Sequence, residues 1–459
     1  MSGKRTALIQ EGPVASAYFE AGYTFNIDPF PWTGFGPNEV FRRFLAAVDG
    51  AYTEEGPMYP LEPSLQVVFP DHRIDITSRI EHILAEFRRE FEGDTVAIGL
   101  LSETLEKKHD LLSKELRDLT GRHSRSLRDG TRFLLRAPAL IWHRMALSRK
   151  LKPLQHNRSL QRMIDAATLL FSNLDVSHAT PFVRAHALTL FFTRQFYFAG
   201  GKHRVIDRLK DIFTESGGSI VEGCTILRLE MKDTISVDIA VNDENRTVGG
   251  RSIIVSEKWE KMKSLLFADS RFRRLGRRYD AFGPALYPFT LHIGVNDSGI
   301  PEKMGGHVIL ISEDDETLTN GNLLFIELSH PTDASMAPSG RRAVSISAFL
   351  DESPLRSSSA ALQAISRDML MRMERTFPFF NENIDHLNIE GSIDISRQYQ
   401  EVICMRYSPP RRGVLGISPF PCTTPAANVF LTGGMTLAGL GFTGEVLSGI
   451  EAAQHVIGA

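Results

Sequence analysis

Apolar and polar positions change period repeatedly along this chain of 459 residues, and each change marks an element. Val40, Phe41, Phe44, Leu45 and Val48 recur on one helical face, which predicts a helix over 38–48 with Asn38 as its cap. Residues 65–69 have strand composition. Pro70-Asp71-His72-Arg73 then reads as a hairpin turn into Ile74 and Ile76, with His72 an exposed turn residue. From 79 to 193 the pattern is mostly helical: Ile80, Ile83, Leu84 and Phe87 keep helical spacing, as do Leu111, Leu112, Leu116 and Leu119. A Gly200-Gly201 turn opens a further helix whose apolar face runs through Leu209, Ile212 and Phe213, with Gly217-Gly218 as its C-cap. Strands are predicted at 219–230 and 252–256, separated by a polar meander to Asn245. Runs at 286–295, 308–312, 323–328 and 343–349 have strand composition and predict an antiparallel sheet, followed by a helix over 362–376 and a loop over 407–413. His292 faces away from Leu291 and Ile293, as a core or cavity-wall residue.

The last stretch, 428–459, reads as a strand, a glycine-rich turn and a helix. Residues 428–432 are a short apolar run, and Gly433, Gly434, Gly439, Gly441 and Gly444 let the backbone turn sharply. Val446, Leu447, Ile450 and Ala453 then recur at helical spacing. Such a turn aims free N–H groups and a positive helix end at one point, which suits an anion or a ring that gains negative charge on reduction. The same residues also fit a plain tight turn that ends a domain.

Composition adds limits. Hydrophobic residues make up 42% and charged residues 23%, an ordinary globular balance for a chain long enough for two domains. Cys224, Cys404 and Cys422 lie far apart, and the histidines are scattered, so neither a disulfide framework nor a metal site is expected. Net charge is −3, yet 107–162 holds 15 Lys and Arg against 4 Asp and Glu. Within it, 132–152 mixes apolar bulk, Trp142 and cations. Two readings stay open there: a packed lid helix with solvated cations, or a peripheral membrane contact. No reader motif accompanies the charge, so nucleic acid is not expected as a partner. His330 to Ser335 is no hydrolase triad, because no G-x-S-x-G elbow accompanies it.

The closing stretch resembles the final motif of the FAD-dependent phytoene desaturase family, within the broader amine oxidase-like flavoproteins. The matching residues are Asn428, Val429, Phe430, Leu431 and Gly433, then Gly439, Gly441, Gly444, Ser448, Gly449, Ala452 and Ala453. Further likenesses lie in 19–29, where Asp28 stands in the usual place of Gly, and in 61–76. The run 197–209 also matches, with Ala199 in place of Pro, as do Asp333, Ala337, Pro338 and Gly340. The strand–meander–strand block after 219 follows in the family's order. What is missing is the family's opening unit: strand, G-x-G-x-x-G turn, helix, and a second strand ending in an acid. Ser2-Gly3-Lys4-Arg5 resembles the element that follows that unit. Three explanations stand: the unit is encoded upstream, a second chain supplies it, or the chain no longer binds FAD.

The resemblance implies a mixed α/β, α+β class and a two-domain FAD-dependent oxidoreductase fold. A Rossmann-like FAD domain, truncated at its start, would comprise 1–78, 196–258 and 413–459. A substrate domain of antiparallel sheet and helices would comprise 79–195 and 259–412. It implies hydride transfer between flavin and an apolar polyene or lipid-like substrate, with FAD doubtful for this chain alone. It places Gly433, Gly434, Met435, Gly441, Phe442 and Thr443 near the flavin, Ile226 near adenine, and Gly3, Lys4 and Arg5 near the diphosphate or ribityl. Asp28 is a candidate substrate-side group, Lys202 and His203 read as surface residues, and no general acid or base is identified. The alternative is a non-catalytic, cofactor-free binding protein. The absence of an apolar signal core points to the cytoplasm, with or without membrane association.

Overall fold

Four strands rich in apolar residues set the centre of the fold. The computed structural model describes residues 4–12, 16–36, 39–49, 58–92, 157–232, 234–242, 244–256, 264–400, 405–409 and 420–458, with the single positions 99, 261, 403, 416 and 417. Within it, Gly283–Asn296, His307–Ile311, Leu323–Leu328 and Arg341–Leu350 are buried on both faces along most of their length. A strand buried on both faces favours apolar residues, and several of the polar ones that these strands bury, Thr290, His292, Ser345 and Ser347, are small or neutral. They form the middle of an eight-stranded sheet. Ile384–Leu387 flanks one side, and Leu65–Val68 with Arg73–Ile76 flank the other. The neighbouring pairs of this sheet are antiparallel, except that Leu65–Val68 runs parallel to His307–Ile311. The expected antiparallel floor is therefore present. The stretch read as a loop contributes one more strand, Arg406–Ser408, paired with the start of Gly283–Asn296.

Two helices cover one face of this sheet. Arg158–Phe171 starts at Asn157, whose side chain accepts the Leu160 N–H, and Pro181–Phe191 starts at Thr180 with Pro in its first turn. Leu160, Ile164, Phe171, Phe182 and Phe191 share one apolar cluster with Leu65, Ile309, Phe325 and Phe349 of the sheet. The helix Val40–Val48 begins two residues later than its apolar pattern allowed, and Glu39, not Asn38, flanks it. Asn38 lies outside the described residues, as do Gly3, Cys404 and the basic stretch 132–152.

A second sheet carries the Rossmann-like part. Ala7–Glu11 pairs parallel with Ser219–Met231, which continues into the hairpin Ile235–Val241 and Glu244–Gly250. The run read as a polar meander is that hairpin, because Ile235, Val237 and Ile239 alternate inward along it. Ile253–Ser256 pairs parallel with the closing strand Val429–Thr432. One expectation is corrected here. A parallel strand ending in an acid was read as missing, and Ala7–Glu11 is such a strand, with Glu11 at its carboxyl end.

The closing strand leads through the glycine turn into the helix Gly441–Gly458. Gly441 has φ 55 and ψ −140, a region open only to glycine. A Cβ there would stand 2.4 Å from the carbonyl oxygen of Phe171. Among the described residues, no helix is long and apolar enough to cross a membrane.

Gly441→Ala should therefore lower unfolding stability by about 2 kcal/mol or more, from backbone strain of roughly 1–3 kcal/mol with the clash added. Urea unfolding checks this, and a variant within about 0.5 kcal/mol of the parent would contradict it.

Candidate functional site

The Gly200-Gly201 turn builds a charged part of the interior. Gly200 and Gly201 take φ 76 and 94, which lets the chain reverse tightly before the helix His203–Glu215. The N–H groups of this turn are all used internally. Gly200 donates to Asp333 Oδ2 at 2.7 Å, Gly201 to the Phe198 carbonyl at 2.9 Å, and Lys202 to Asn26 Oδ1 at 2.9 Å. Burial would raise the Asp333 carboxyl, but the Gly200 N–H, Ser335 and Tyr197 hold it below the ordinary carboxylate range.

Lys202, read from sequence as a surface residue, points inward and is only 3% exposed. Its ammonium donates to the carbonyls of Asp28 at 2.9 Å and Phe30 at 2.8 Å and pairs with Glu327 Oε1 at 3.0 Å. A buried ammonium needs this much compensation. Glu327, on Leu323–Leu328, also accepts from Asn26 Nδ2 at 3.1 Å, and His307 Nε2 stands 4.0 Å from its other oxygen. Burial drives the Glu327 carboxyl above the ordinary range, and the Lys202 ammonium and Asn26 work against that rise. Glu327 and Asn26 line a narrow cleft with Phe25, Tyr197, Met336 and Ala343. Asp28 takes part through its backbone carbonyl. Its carboxylate accepts the Phe30 N–H at 3.2 Å, and φ at this position is not positive, so the turn needs no glycine.

This cluster adjoins the closing motif. The Lys202 ammonium lies 5.9 Å from the Trp32 ring, and Trp32 stacks on Phe442 at 5.0 Å and 11°. Thr33 and Thr443 share a hydrogen bond of 2.9 Å between their hydroxyls. Gly433 donates its N–H to Ser448 at 3.1 Å, Gly434 accepts from Asn173 at 3.4 Å, and Met435 is buried beside them. Arg406 is buried behind this wall, its guanidinium 5.3 Å from the Phe30 ring and 4.6 Å from Phe349, and its Nε donates to the Leu169 carbonyl. Phe442 and Thr443 are thus brought together with Trp32, Thr33 and Lys202. Sequence reading missed Lys202, Glu327 and Arg406. The available signal was a lone acid inside an apolar strand and a lone base after a glycine turn.

The remaining candidates lie elsewhere. Ile226 donates its N–H to Glu11 Oε1 at 2.9 Å, and Lys261 pairs with the same oxygen at 2.8 Å. Ile226 therefore sits at the carboxyl end of the parallel strand, where such sheets bind ligands. Lys4 and Arg5 precede Ala7–Glu11 and lie at its amino end. Lys4 donates to the Val456 carbonyl, near the far end of the closing helix from its glycine turn. That geometry gives Lys4 no path to a diphosphate held at the carboxyl ends.

Two places could receive the ends of an FAD. Trp32 and Phe442 beside the closing glycine turn offer flat apolar faces, and Glu11 stands at a strand end where a ribose could meet it, although the Ile226 N–H and Lys261 already occupy its Oε1. The diphosphate between them is less well served. The Gly200-Gly201 turn has its N–H groups bonded to Asp333, Phe198 and Asn26. Gly441 and Gly444 use their missing side chains to admit the carbonyls of Phe171 and Leu437.

Two buried histidines give the site a pH signature. Burial pushes the imidazoles of His292 and His307 down to about 3, and for His307 the Lys202 ammonium adds to that. Both are neutral in the folded protein, while an unfolded histidine binds a proton below its ordinary value of about 6.5. The unfolded chain then holds more protons, so stability falls as pH drops from about 6.5 towards 3. Each histidine should contribute a loss on the order of 2 kcal/mol between pH 7 and 5. His292→Gln, compared with the parent by urea unfolding at both pH values, should remove that share of the loss. An unchanged loss would contradict the assignment.

No protein-family model matches the sequence. No curated protein matches it either. Solved structures do. An oxidoreductase from Methanosarcina mazei aligns over 99% of this chain and 95% of its own, with TM-score 0.62 and 12% identity. Wild-type putrescine oxidase bound to putrescine aligns over 100% and 94%, with TM-score 0.62 and 12% identity. Cyclohexylamine oxidase from Brevibacterium oxydans IH-35A aligns over 100% and 93%, with TM-score 0.58 and 12% identity. At this identity the likeness is one of fold: the chain has the two-domain mixed α/β architecture of the amine oxidase-like oxidoreductases.

Proposed function

We propose that this chain is an FAD-dependent oxidoreductase acting on an apolar polyene or lipid-like substrate. The observation that carries the reading is the joining of the closing glycine turn to the Trp32–Phe442 stack, with a paired and buried Lys202–Glu327 beside them. Gly433, Gly434, Met435, Gly441, Phe442 and Thr443 would hold the flavin ring, and Glu11 and Ile226 the adenosine end. When bound, the flavin supplies a hydride acceptor. The protein's own residues orient the substrate and exclude water around it.

The pairing of charges in this cluster supports an apolar substrate over an amine. An amine needs an uncompensated carboxylate to receive its charge, and Glu327 is already paired with Lys202.

The Gly200-Gly201 turn spends its N–H groups on Asp333, Phe198 and Asn26 and leaves little for a diphosphate, so the affinity of this chain for FAD should be modest. An equilibrium titration with FAD, followed by flavin fluorescence, should saturate with a dissociation constant around 10⁻⁶ M. Anaerobic addition of a C40 polyene in detergent micelles should bleach the bound flavin, and putrescine should not. No saturation up to about 10⁻³ M would overturn the flavin reading and leave a binder of apolar molecules. Bleaching by putrescine alone would overturn the substrate class.

A further inference from the structure

A helix face kept for solubility mixes charges of both signs. The helix Arg273–Asp280, which follows the short turn Ser270–Phe272, does not. At 3.6 residues per turn, Arg273, Arg274, Arg277 and Arg278 fall within one arc of about 140°, and all four are exposed. Leu275, Gly276 and Tyr279 fill the opposite arc and are buried. Leu275, Tyr279 and the preceding Phe272 join the core cluster that holds Met231, Ile235, Val429 and Leu431. The apolar side fixes this helix to the fold, and the side turned outwards is made of guanidinium groups.

The surroundings extend this patch and do not cancel it. Arg271 pairs with Asp269 at 2.7 Å and donates to the Met231 carbonyl. Lys232 and Arg251 are exposed nearby, their carbonyls joined by Asn428 Nδ2 at 3.5 and 3.2 Å. Glu230 is already shared by Arg228 and Lys232, at 2.6 and 3.4 Å. Asp280 ends the helix. Among the described residues, no carboxylate pairs with Arg273, Arg274 or Arg277. Asn428 immediately precedes the closing strand, so the patch begins at the amino ends of the parallel pair Ile253–Ser256 and Val429–Thr432. Such sheets bind ligands at their carboxyl ends, which separates these arginines from the proposed cofactor site.

A solvated face is the plain alternative, and two features speak for a partner. All five cations from 271 to 278 are arginine, whose planar fork pairs with phosphate oxygens, where lysine would serve solubility as well. Arg273 and Arg277 stand one turn apart, a spacing at which like charges destabilise a helix and an anionic partner relieves the cost.

We propose that the helix Arg273–Asp280 docks this protein on an anionic phospholipid bilayer, with its arginines on the headgroup phosphates. The arc offers phosphate-binding side chains alone. It has no aromatic ring for stacking on bases and no amide for reading their edges, which favours a bilayer over nucleic acid. A convex face also meets a flat layer of phosphates with several arginines at once. An apolar substrate, as proposed above, resides in bilayers too, but the docking does not depend on that reading.

The test is flotation of the full chain with vesicles, without added FAD. Vesicles of phosphatidylcholine with about one third phosphatidylserine should carry the protein, and vesicles of phosphatidylcholine alone should not. Salt at about 0.5 M should release it. Each arginine near an anionic surface strengthens binding roughly fivefold, so Arg273→Gln with Arg277→Gln should weaken it about 25-fold. Arg273→Lys with Arg277→Lys should stay within about fivefold of the parent. Both positions are exposed, so all variants should unfold in urea as the parent does. Absence of vesicle binding overturns the proposal, as does equal binding by the parent and the double Gln variant. A loss confined to Arg136→Gln with Arg144→Gln, in the basic stretch 132–152, overturns it in favour of that stretch. Equal binding to neutral vesicles, or displacement by duplex DNA at equal phosphate concentration, overturns the partner named. The flavin titration is a separate measurement, so failure of one reading leaves the other standing.

Discussion

The buried pair of Lys202 and Glu327 is the constraint on which the rest of the site depends. It joins three parts of the chain that lie far apart in sequence: the N-terminal segment through Asn26, Asp28 and Phe30, the Gly-Gly turn, and the central sheet. The turn can bring Lys202 there only because two consecutive glycines take positive φ. Two carbonyls and a carboxylate surround the ammonium and offset its lost hydration. Trp32 then rests against Phe442, so the pair also fixes how the closing helix begins relative to the sheet.

Two glycine turns divide the work. The closing turn, with Gly441 in a conformation open only to glycine, packs against the carbonyl of Phe171 and delivers Phe442 and Thr443 to the site. The Gly200-Gly201 turn spends its N–H groups on Asp333, Phe198 and Asn26 and so becomes a rigid mount for Lys202. The Gly200-Gly201 turn is therefore no open anion cradle.

Much of the fold was legible in the sequence. The strands at 286–295, 308–312, 323–328 and 343–349 lie within one or a few residues of those found, because a doubly buried strand favours an apolar run. The closing strand, turn and helix were legible for a similar reason. The site was less so. Glu327 lies inside such an apolar run, and Lys202 follows a turn, where a lysine is ordinarily exposed. Each makes sense only once the other stands 3.0 Å away, and 125 positions of sequence hide that proximity. Glu11 was overlooked because Ala7–Glu11 is short and half exposed, and only its parallel register with Ser219–Met231 gives it a role.

The most direct test of this account is the coupling energy between Lys202 and Glu327. Unfolding stability would be measured for the parent, Lys202→Met, Glu327→Gln and the double variant. Each single change strands a buried polar partner and should cost about 3–5 kcal/mol, and the double variant should recover much of that, giving a coupling of about 2 kcal/mol or more. Additive effects, with coupling below about 0.5 kcal/mol, would mean that the pair does not tie these segments together, and the central claim would fall.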